Sequence, residues 1–152
     1  MTQIVRAQPE AAAALTAIAY SAKRQWGYPE RWIALWADAL TIRSEFIASH
    51  ETYAALVDGQ STGFYALLCE GPDRFKLEHL WVRPEAMRRG IGRELFLHAI
   101  ERAKALGGVA LATDSDPNAA GFYERMGARH AGTRVTDLDG RRREIPSFVL
   151  DL

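Results

Sequence analysis

The sequence has little of several features that mark specialised proteins. It contains one cysteine, Cys69, so no disulfide forms within the chain. Its 19 basic and 19 acidic residues give no net charge, so no overall field attracts nucleic acid or an anionic membrane. No apolar run approaches the length of a membrane span, and the N-terminus lacks the basic-then-apolar layout of a signal peptide. These absences favour a cytoplasmic protein whose basic sites, if any, are local.

The remaining composition is that of an ordinary globular protein. Hydrophobic residues make up 48% of the chain and charged residues 25%. A chain of 152 residues is long enough to bury a core without metals or disulfides. We therefore expect one domain over residues 1–152, with no metal site and no nucleic-acid or membrane partner.

Hydrophobic periodicity predicts alternating groups of strands and helices. The predicted order is β-α-α-β-β-β-α-β-α-β-β, which is a mixed α+β fold. Glycine, proline and Asp-Gly pairs separate the elements. The predicted strands are 3–7, 52–57, 62–69, 74–82, 109–113, 128–138 and 145–152, and the predicted helices are 10–24, 29–40, 91–106 and 118–126.

The most informative segment is LEHLWVRPEAMRRGIGRELF, residues 77–96. A strand ends at a proline, a loop with a Gly-x-Gly follows, and a helix begins directly afterwards. The backbone N–H groups of such a loop and the positive end of the helix dipole favour an anion. Arg88, Arg89 and Arg93 add full charges, which suits a pyrophosphate or a group of phosphates. A basic turn without a ligand is the alternative, and Gly-x-Gly alone does not decide.

Spacing narrows the class of phosphate ligand. A Walker loop needs Gly-Lys-Ser/Thr after a longer glycine loop, and the sequence has none. A dinucleotide fingerprint needs a third glycine three places after Gly92, and Leu95 stands there. Nucleoside triphosphates, NAD and FAD are therefore disfavoured.

Two segments resemble the signatures of the GNAT superfamily of N-acyltransferases. VRPEAMRRGIGRELFLHAI (82–100) is similar to its acetyl-CoA-binding motif, Gln/Arg-x-x-Gly-x-Gly/Ala after a central strand. SDPNAAGFYERMGAR (115–129) is similar to its second signature, Asn-x-x-(x)-Phe-Tyr-Glu-x-x-Gly. The likeness covers almost the whole chain and includes WGYPE (26–30), DGQSTGFYALL (58–68) and REIPSFVL (143–150), which resemble a bacterial branch. It implies a mostly antiparallel central sheet with helices on both faces.

The resemblance implies an enzyme that transfers an acetyl group from acetyl-CoA to a primary amine within a ternary complex. In the family, the strand before the loop splays from its neighbour, here residues 109–113, and its backbone pairs with the pantetheine arm. The loop holds the pyrophosphate. The residues implied for cofactor binding are Leu80, Trp81, Val82, Arg88, Arg89, Gly90, Ile91, Gly92, Arg93, Asn118 and Tyr123.

One position departs from the family pattern. Met87 stands where the family usually has a glutamine or arginine that helps to hold the pyrophosphate. Backbone amides supply most of the family's grip, and Arg88 or Arg89 can supply the missing charge. The departure supports an alternative function, a non-catalytic module that binds or senses acyl-CoA.

Direct transfer needs a base, because an amine reaches the enzyme protonated and must be neutral to attack. Strand alternation places Glu78 and His79 on opposite faces, so only one of them readily faces the substrate. A carboxylate within an apolar strand is a suitable base, and family members commonly carry an acidic residue on the face of Glu78. The alternatives are a structural ion pair for Glu78, for example with an arginine of the tail, and a hydrogen-bonded core position for His79.

The second signature supplies an acid and a cofactor contact. In the family, the tyrosine at the place of Tyr123 points its hydroxyl at the cofactor sulfur, where it can protonate the leaving thiolate. Asn118 is implied to bind the pantetheine arm. A helix N-cap after Asp116-Pro117 is its structural alternative, and the packing of an aromatic ring on a short helix is the alternative for Tyr123.

Aromatic residues are dense where the family places the acceptor. Trp32 and Trp36 are four apart and fit one helix face, whereas Trp26 and Tyr28 flank a glycine and form an aromatic wall for an apolar or cationic acceptor. We predict Trp26, Tyr28 and His79 as substrate contacts. The basic RRR at 141–143 is expected at a solvated hairpin tip. The acceptor, a small molecule or a peptide amine, stays open, as does a homodimer through exposed edge strands.

Overall fold

The structure is a computed structural model that describes all of residues 1–152. Its strands are β1 (Thr2–Arg6), β2 (Glu51–Val57), β3 (Gln60–Cys69), β4 (Arg74–Val82), β5 (Ala110–Asp114), β6 (Arg129–Leu138) and β7 (Arg141–Asp151). Its helices are α1 (Ala12–Arg24), α2 (Glu30–Leu35), α3 (Ala37–Leu40), α4 (Ser44–Ser49), α5 (Ile91–Ala105) and α6 (Ala120–Arg125). Short 3-10 turns precede α1 and α6 and follow β4.

The seven strands form one mixed sheet in the order β1-β2-β3-β4-β5-β7-β6. The β4–β5 pair is parallel, whereas the β1–β2, β2–β3, β5–β7 and β6–β7 pairs are antiparallel. Helices lie on both sides of the sheet. The predicted fold class is therefore confirmed.

The region between α1 and β2 differs from the prediction. The single helix expected over 29–40 is divided at Trp36, whose φ of −91° and ψ of 6° depart from helical values. A further helix, α4, follows, and the sequence analysis did not predict it. Its six residues are too few to show a helical period, although Ile47 within it is fully buried.

The chain divides into two compact units, and the first comprises residues 1–67 and 79–99. Its core contains the predicted apolar stripe of α1, in which Leu15, Ile18 and Ala19 are fully buried. Each large aliphatic side chain buried there stabilises the fold by about 1.5–3 kcal/mol. The side chains of α2 to α4 complete this core, so the short helices are held by packing rather than by their own length.

The second unit comprises residues 68–78 and 100–152. The β6–β7 hairpin turns at Asp139 and Gly140, which both have positive φ as a tight hairpin turn requires. The RRR of residues 141–143 pairs with residues 136–138 inside the ladder. These arginines therefore belong to β7 and not to the hairpin tip, because the two-residue turn ends at Gly140.

Candidate cofactor and catalytic site

The glycine loop is anchored at both ends and strained in the middle. Ala86 before it and Ile91 after it are buried, with 5% and 4% of their surface exposed. Between them Arg88 and Gly90 have φ values of +64° and +81°. A left-handed conformation costs a residue other than glycine about 1 kcal/mol. The surrounding structure therefore holds Arg88 in a backbone conformation that it would not choose.

The loop and the start of α5 present a run of available backbone donors. The Met87 N–H donates to the Pro84 carbonyl at 3.2 Å, and the Glu94 N–H donates to the Gly90 carbonyl at 3.0 Å. None of the six N–H groups between them, in residues 88–93, donates a hydrogen bond within the protein. The first N–H groups of any helix lack intrahelical acceptors, and the left-handed loop adds more. With three exposed arginines in the same segment, this is an anion-binding arrangement.

A hollow of about 550 Å³ lies beside the loop within the first unit. Arg83, Glu85 and Arg89 line it together with the start of β3. The Arg83 side chain is fixed there, because its Nε donates to the Ser61 carbonyl at 2.9 Å. Sequence reasoning did not predict this hollow, since its residues come from separate segments.

At the end of β4, the backbone groups of some residues point towards β3, and those of others are available to bind a ligand at the other edge. The Arg83 N–H donates to the Thr62 carbonyl at 2.8 Å, and a Cβ built on Gly63 would meet the Trp81 carbonyl oxygen at 2.8 Å. The backbone groups of Trp81 and Arg83 therefore face β3. Because consecutive residues of a strand direct their N–H and C=O groups to opposite edges, those of Val82, which lies between Trp81 and Arg83, face away from β3.

Within the second unit, the β4–β5 ladder pairs residues 74–76 with residues 110–112. One residue further on, the Leu77 carbonyl accepts a hydrogen bond from the Thr113 hydroxyl at 3.0 Å. A side chain thus bridges the two strands where the backbone ladder ends. This is consistent with the divergence of these strands that the resemblance implies.

His79 lies among aromatic rings of the first unit. The Trp81 indole N–H donates to Nδ1 of His79 at 3.0 Å. Phe46 and Phe64 lie with ring centroids 5.6 and 5.9 Å from its ring. Because an indole N–H can only donate, Nδ1 is the unprotonated nitrogen. The hydrogen-bonded position that was the structural alternative for His79 is present.

Glu78 is exposed, contrary to the expected apolar surroundings. Its Oε1 lies 3.4 Å from the Lys76 ammonium, and the same ammonium lies 3.6 Å from a carboxylate oxygen of Asp114. The partner is thus a lysine of the same strand and not an arginine of the tail. The residues two apart on a strand share a face, and this puts both charges on the solvated side.

Tyr123 is the buried titratable group of the second unit. Its side chain is 7% exposed, and the rings of Phe148 and Phe122 lie 5.9 and 5.2 Å from it. Burial raises the pKa of Tyr123 from 10.0 to about 12, and a hydrogen bond with Thr113 offsets part of that rise. The phenol therefore keeps its proton at every physiological pH.

Asn118 lies in the exposed turn before α6. The cap of that turn is Asp116, whose Oδ1 accepts the Asn118 backbone N–H at 2.8 Å and its side-chain Nδ2 at 3.0 Å. The N-cap role that was the structural alternative for Asn118 is therefore absent, because Asp116 caps the 3-10 turn and Ala119 is the N-cap of α6. The side chain of Asn118 remains at the surface.

The predicted aromatic wall is only partly assembled. Tyr28, Trp32 and Trp36 form one cluster with ring centroids 5.0 to 6.1 Å apart. Trp26 is 36% exposed and makes no ring contact. The ammonium of Lys23, which sequence reasoning missed, lies against this cluster.

The chain matches the acetyltransferase (GNAT) family over residues 14–128. The chain belongs to the GNAT family. Curated relatives are the uncharacterized N-acetyltransferase YvbK of Bacillus subtilis (strain 168), 30% identical over 91 residues, and the peptidyl-lysine N-acetyltransferase YiaC of Escherichia coli (strain K12), 33% identical over 78 residues. The first alignment covers 58% of this chain and 59% of YvbK, and the second covers 51% of each protein. The chain thus spans little more than half the length of these relatives.

A solved GNAT structure matches over the full length. It is the PaiA N-acetyltransferase of Thermoplasma acidophilum in complex with coenzyme A, with a TM-score of 0.81 and 20% identity. The match covers 100% of this chain and 99% of that one. At this identity the likeness establishes the shared fold, which carries both GNAT signatures here on a β4–loop–α5 segment and on α6.

The two GNAT signatures fall in different units of the chain. The first unit contains the loop of residues 88–93, the end of β4 and the aromatic cluster. The second contains Glu78, Asn118 and Tyr123.

No helix combines the length and the hydropathy needed to cross a membrane. No three His, Cys, Asp or Glu side chains are grouped so as to hold a metal ion.

Proposed function

We propose that this GNAT protein is an acetyl-CoA-dependent N-acetyltransferase that moves an acetyl group directly to a primary amine in a ternary complex. The observation that carries the proposal is the run of six backbone N–H groups in residues 88–93 without acceptors in the protein. Family membership supports acetyl-CoA as the ligand of this run, since the same segment resembles the acetyl-CoA signature of GNAT proteins.

The donor set fits a pyrophosphate. Peptide N–H groups at a helix start and nearby guanidinium groups are the donors that bind phosphate oxygens elsewhere in proteins. Met87 does not remove this capacity, because the donors are main-chain groups and the arginines of the loop remain exposed. Acetyl-CoA, when bound, supplies an acyl group already activated as a thioester.

The strand before the loop would hold the pantetheine arm through its backbone. Val82 directs its N–H and C=O groups away from β3 and is a proposed partner, and Leu80 is proposed on the family resemblance. Trp81 is not retained for this role, because its carbonyl faces β3 at Gly63. The exposed amide side chain of Asn118 is a further proposed contact.

Two side chains are proposed to act on the reacting groups, one as a base and one as a hydrogen-bond donor. Glu78, exposed to solvent beside Lys76, accepts the proton of the acceptor ammonium directly or through water. Tyr123, which holds its proton, directs its hydroxyl at the sulfur as charge develops there. As the C–N bond forms and the C–S bond breaks, the attacking nitrogen loses its second proton to water, and the leaving thiolate, hydrogen-bonded by Tyr123, takes up one proton from water. The reaction is therefore balanced without another reagent.

Release of free thiol from acetyl-CoA in the presence of an amine panel tests the proposal. The Arg88→Gly variant removes one charge of the loop while keeping a residue that accepts φ near +64°. We expect the KM for acetyl-CoA to rise about tenfold, the loss of one exposed charge-assisted contact. Asp139→Gly, a matched change at φ +53° in the β6–β7 turn, should leave KM unchanged.

The outcomes separate the alternatives. Binding of coenzyme A in calorimetry without thiol release on any amine would favour the non-catalytic acyl-CoA-binding module. Absence of binding to the wild-type protein, or equal KM values for the two glycine variants, would overturn the assignment of the loop.

A further inference from the structure

The ammonium of Lys23 is surrounded by aromatic rings within the first unit. Its Nζ lies 4.2 Å from the ring centroid of Trp36, 5.2 Å from that of Tyr28 and 5.9 Å from that of Trp81. All three distances fall within the range of about 6 Å at which a ring face attracts a cation. We call Tyr28, Trp36 and Trp81 the ammonium cage.

Three separate segments build the cage. Lys23 lies in the last turn of α1, and Gly27 at φ +83° reverses the chain so that Tyr28 returns towards it. Trp36 stands at the junction of α2 and α3, and its ring meets that of Tyr28 edge-on at 5.0 Å. Trp81 comes from β4. The kink at Trp36 and the glycine reversal therefore serve to bring the rings together.

The rings of the cage are held independently of Lys23. Trp81 donates its indole N–H to His79 at 3.0 Å. Trp36 also packs against Trp32 with centroids 6.1 Å apart. Rings fixed by their own contacts form a preorganised cation site, which costs little ordering when it is filled.

The cage lies on the strand that the proposed function assigns to the acyl donor. Trp81 is followed by Val82, whose backbone groups face away from β3, while the Trp81 side chain packs against the core that contains the apolar stripe of α1. An ammonium in the cage is therefore next to β4, as an acceptor molecule would be.

A cation cage is unsuited to the attacking nitrogen itself. Ring faces stabilise the charged form of an amine, whereas the attacking nitrogen must be neutral. The cage instead suits a second ammonium group of the acceptor, which stays charged while the other nitrogen reacts. Lys23, an alkylammonium of the protein, has the same chemistry.

We propose that Tyr28, Trp36 and Trp81 form a recognition site for an alkylammonium group, that Lys23 fills it in the free protein, and that an acceptor with a second ammonium group displaces Lys23. The acceptor class is thus a diamine or a polyamine. Only this last part rests on the proposed function, because the cage itself requires no acetyl-CoA.

Binding of n-propylammonium to the Lys23→Ala variant tests the cage without acetyl-CoA. Alanine leaves a space for three carbons and one nitrogen, which n-propylammonium fills, and n-propanol is its neutral match in size. We expect saturable quenching of tryptophan fluorescence by n-propylammonium at a concentration at least about tenfold lower than by n-propanol. Lys23→Met, which fills the same space without charge, and Lys104→Ala, distant in the sequence and paired with Glu101, should show no such quenching.

Equal quenching of Lys23→Ala by the cation and the alcohol, or saturable cation binding to Lys23→Met, would overturn the cage. Circular dichroism establishes that the variants are folded. A second variant guards the result: Lys23→Ala combined with Trp36→Leu should lose the preference for the cation, and its retention would also count against the cage.

Thiol release then tests the acceptor. With wild-type protein, kcat/KM for 1,4-diaminobutane should exceed that for n-butylamine at least about tenfold, and Trp36→Leu should reduce this ratio. Equal values for the two amines would overturn the acceptor class. If neither amine is acetylated while Lys23→Ala still binds n-propylammonium, the diamine acceptor class fails and the cage stands; the proposed enzymatic function itself fails only if no amine of the wider panel releases thiol.

Discussion

Raising the pH from 10 to 12 should weaken the fold through one side chain, Tyr123. The phenol is 7% exposed and packed against the rings of Phe122 and Phe148. Ionisation would place a negative charge among these rings with Thr113 as its hydrogen-bonding partner. The folded protein therefore retains the phenolic proton to a higher pH than the unfolded chain does.

The magnitude follows from the pKa. Burial raises the pKa of Tyr123 from 10.0 to about 12, and each unit corresponds to about 1.36 kcal/mol. Below pH 10 both states hold the proton, so the full stabilisation is present. Between pH 10 and 12 only the folded state holds it, so the free energy of unfolding falls as pH rises, by about 3 kcal/mol in total.

Urea unfolding of the wild type and of Tyr123→Phe at several pH values measures this difference. The gap between the two free energies of unfolding should be constant from pH 7 to 9, which serves as the internal control. It should then shift by about 2 kcal/mol against the wild type by pH 12, where the folded phenol is itself half ionised. The difference in absorbance at 295 nm between the two proteins should titrate near the same pH. A gap that stays constant to pH 12, or a difference titration centred at 10, would refute the burial argument.

Three further changes test other parts of the structure. Gly63→Ala should lower the free energy of unfolding by about 1–3 kcal/mol, because its Cβ would meet the Trp81 carbonyl at 2.8 Å. The control variant Gly121→Ala in α6 should not lower it, because the new Cβ would meet only a flexible side-chain end at 3.1 Å. Equal urea midpoints for the two variants would contradict this prediction. Glu78→Gln should lower kcat about 100-fold and change stability by less than about 1 kcal/mol, as expected for an exposed ion pair; an unchanged kcat would leave the carboxylate only its ion pair. Added pyrophosphate should compete with coenzyme A for residues 88–93, and non-competitive behaviour in calorimetry would place the anion elsewhere.

Hydrophobic periodicity and turn residues predicted most of the fold, because a long helix or strand shows its period clearly. The bounds of β4, Arg74–Val82, agree with the prediction to the residue, and α1 buries the predicted side chains. The region after Gly27 was harder. A helix interrupted at Trp36 and a helix of six residues depend on tertiary packing of Ile33, Leu40 and Ile47 in one core, which periodicity in so short a window does not reveal.

The candidate site was predictable only where a continuous segment carries it. The loop of residues 88–93 could be identified because its glycines, arginines and helix start are adjacent in sequence. The surroundings of Glu78 could not, because strand alternation gives the face of a side chain but not the exposure of that face. Lys23 was missed for a related reason: its ring contacts come from three segments, and no local pattern marks a lysine that faces Trp81.

The pKa of Tyr123 also limits what the phenol contributes to the proposed reaction. A thiol has a pKa of about 8.5, so full proton transfer from a phenol at about 12 to a thiolate is uphill by about 5 kcal/mol. Tyr123 is therefore expected to act by donating a hydrogen bond to the charge on sulfur, which contributes about 1.5–3 kcal/mol. Tyr123→Phe should accordingly reduce kcat by about 10- to 150-fold, whereas Phe122→Leu beside it should retain the phenol and most of kcat. A loss beyond about 1000-fold would mean that the pKa of Tyr123 falls when substrate binds, and that the phenol then transfers its proton outright.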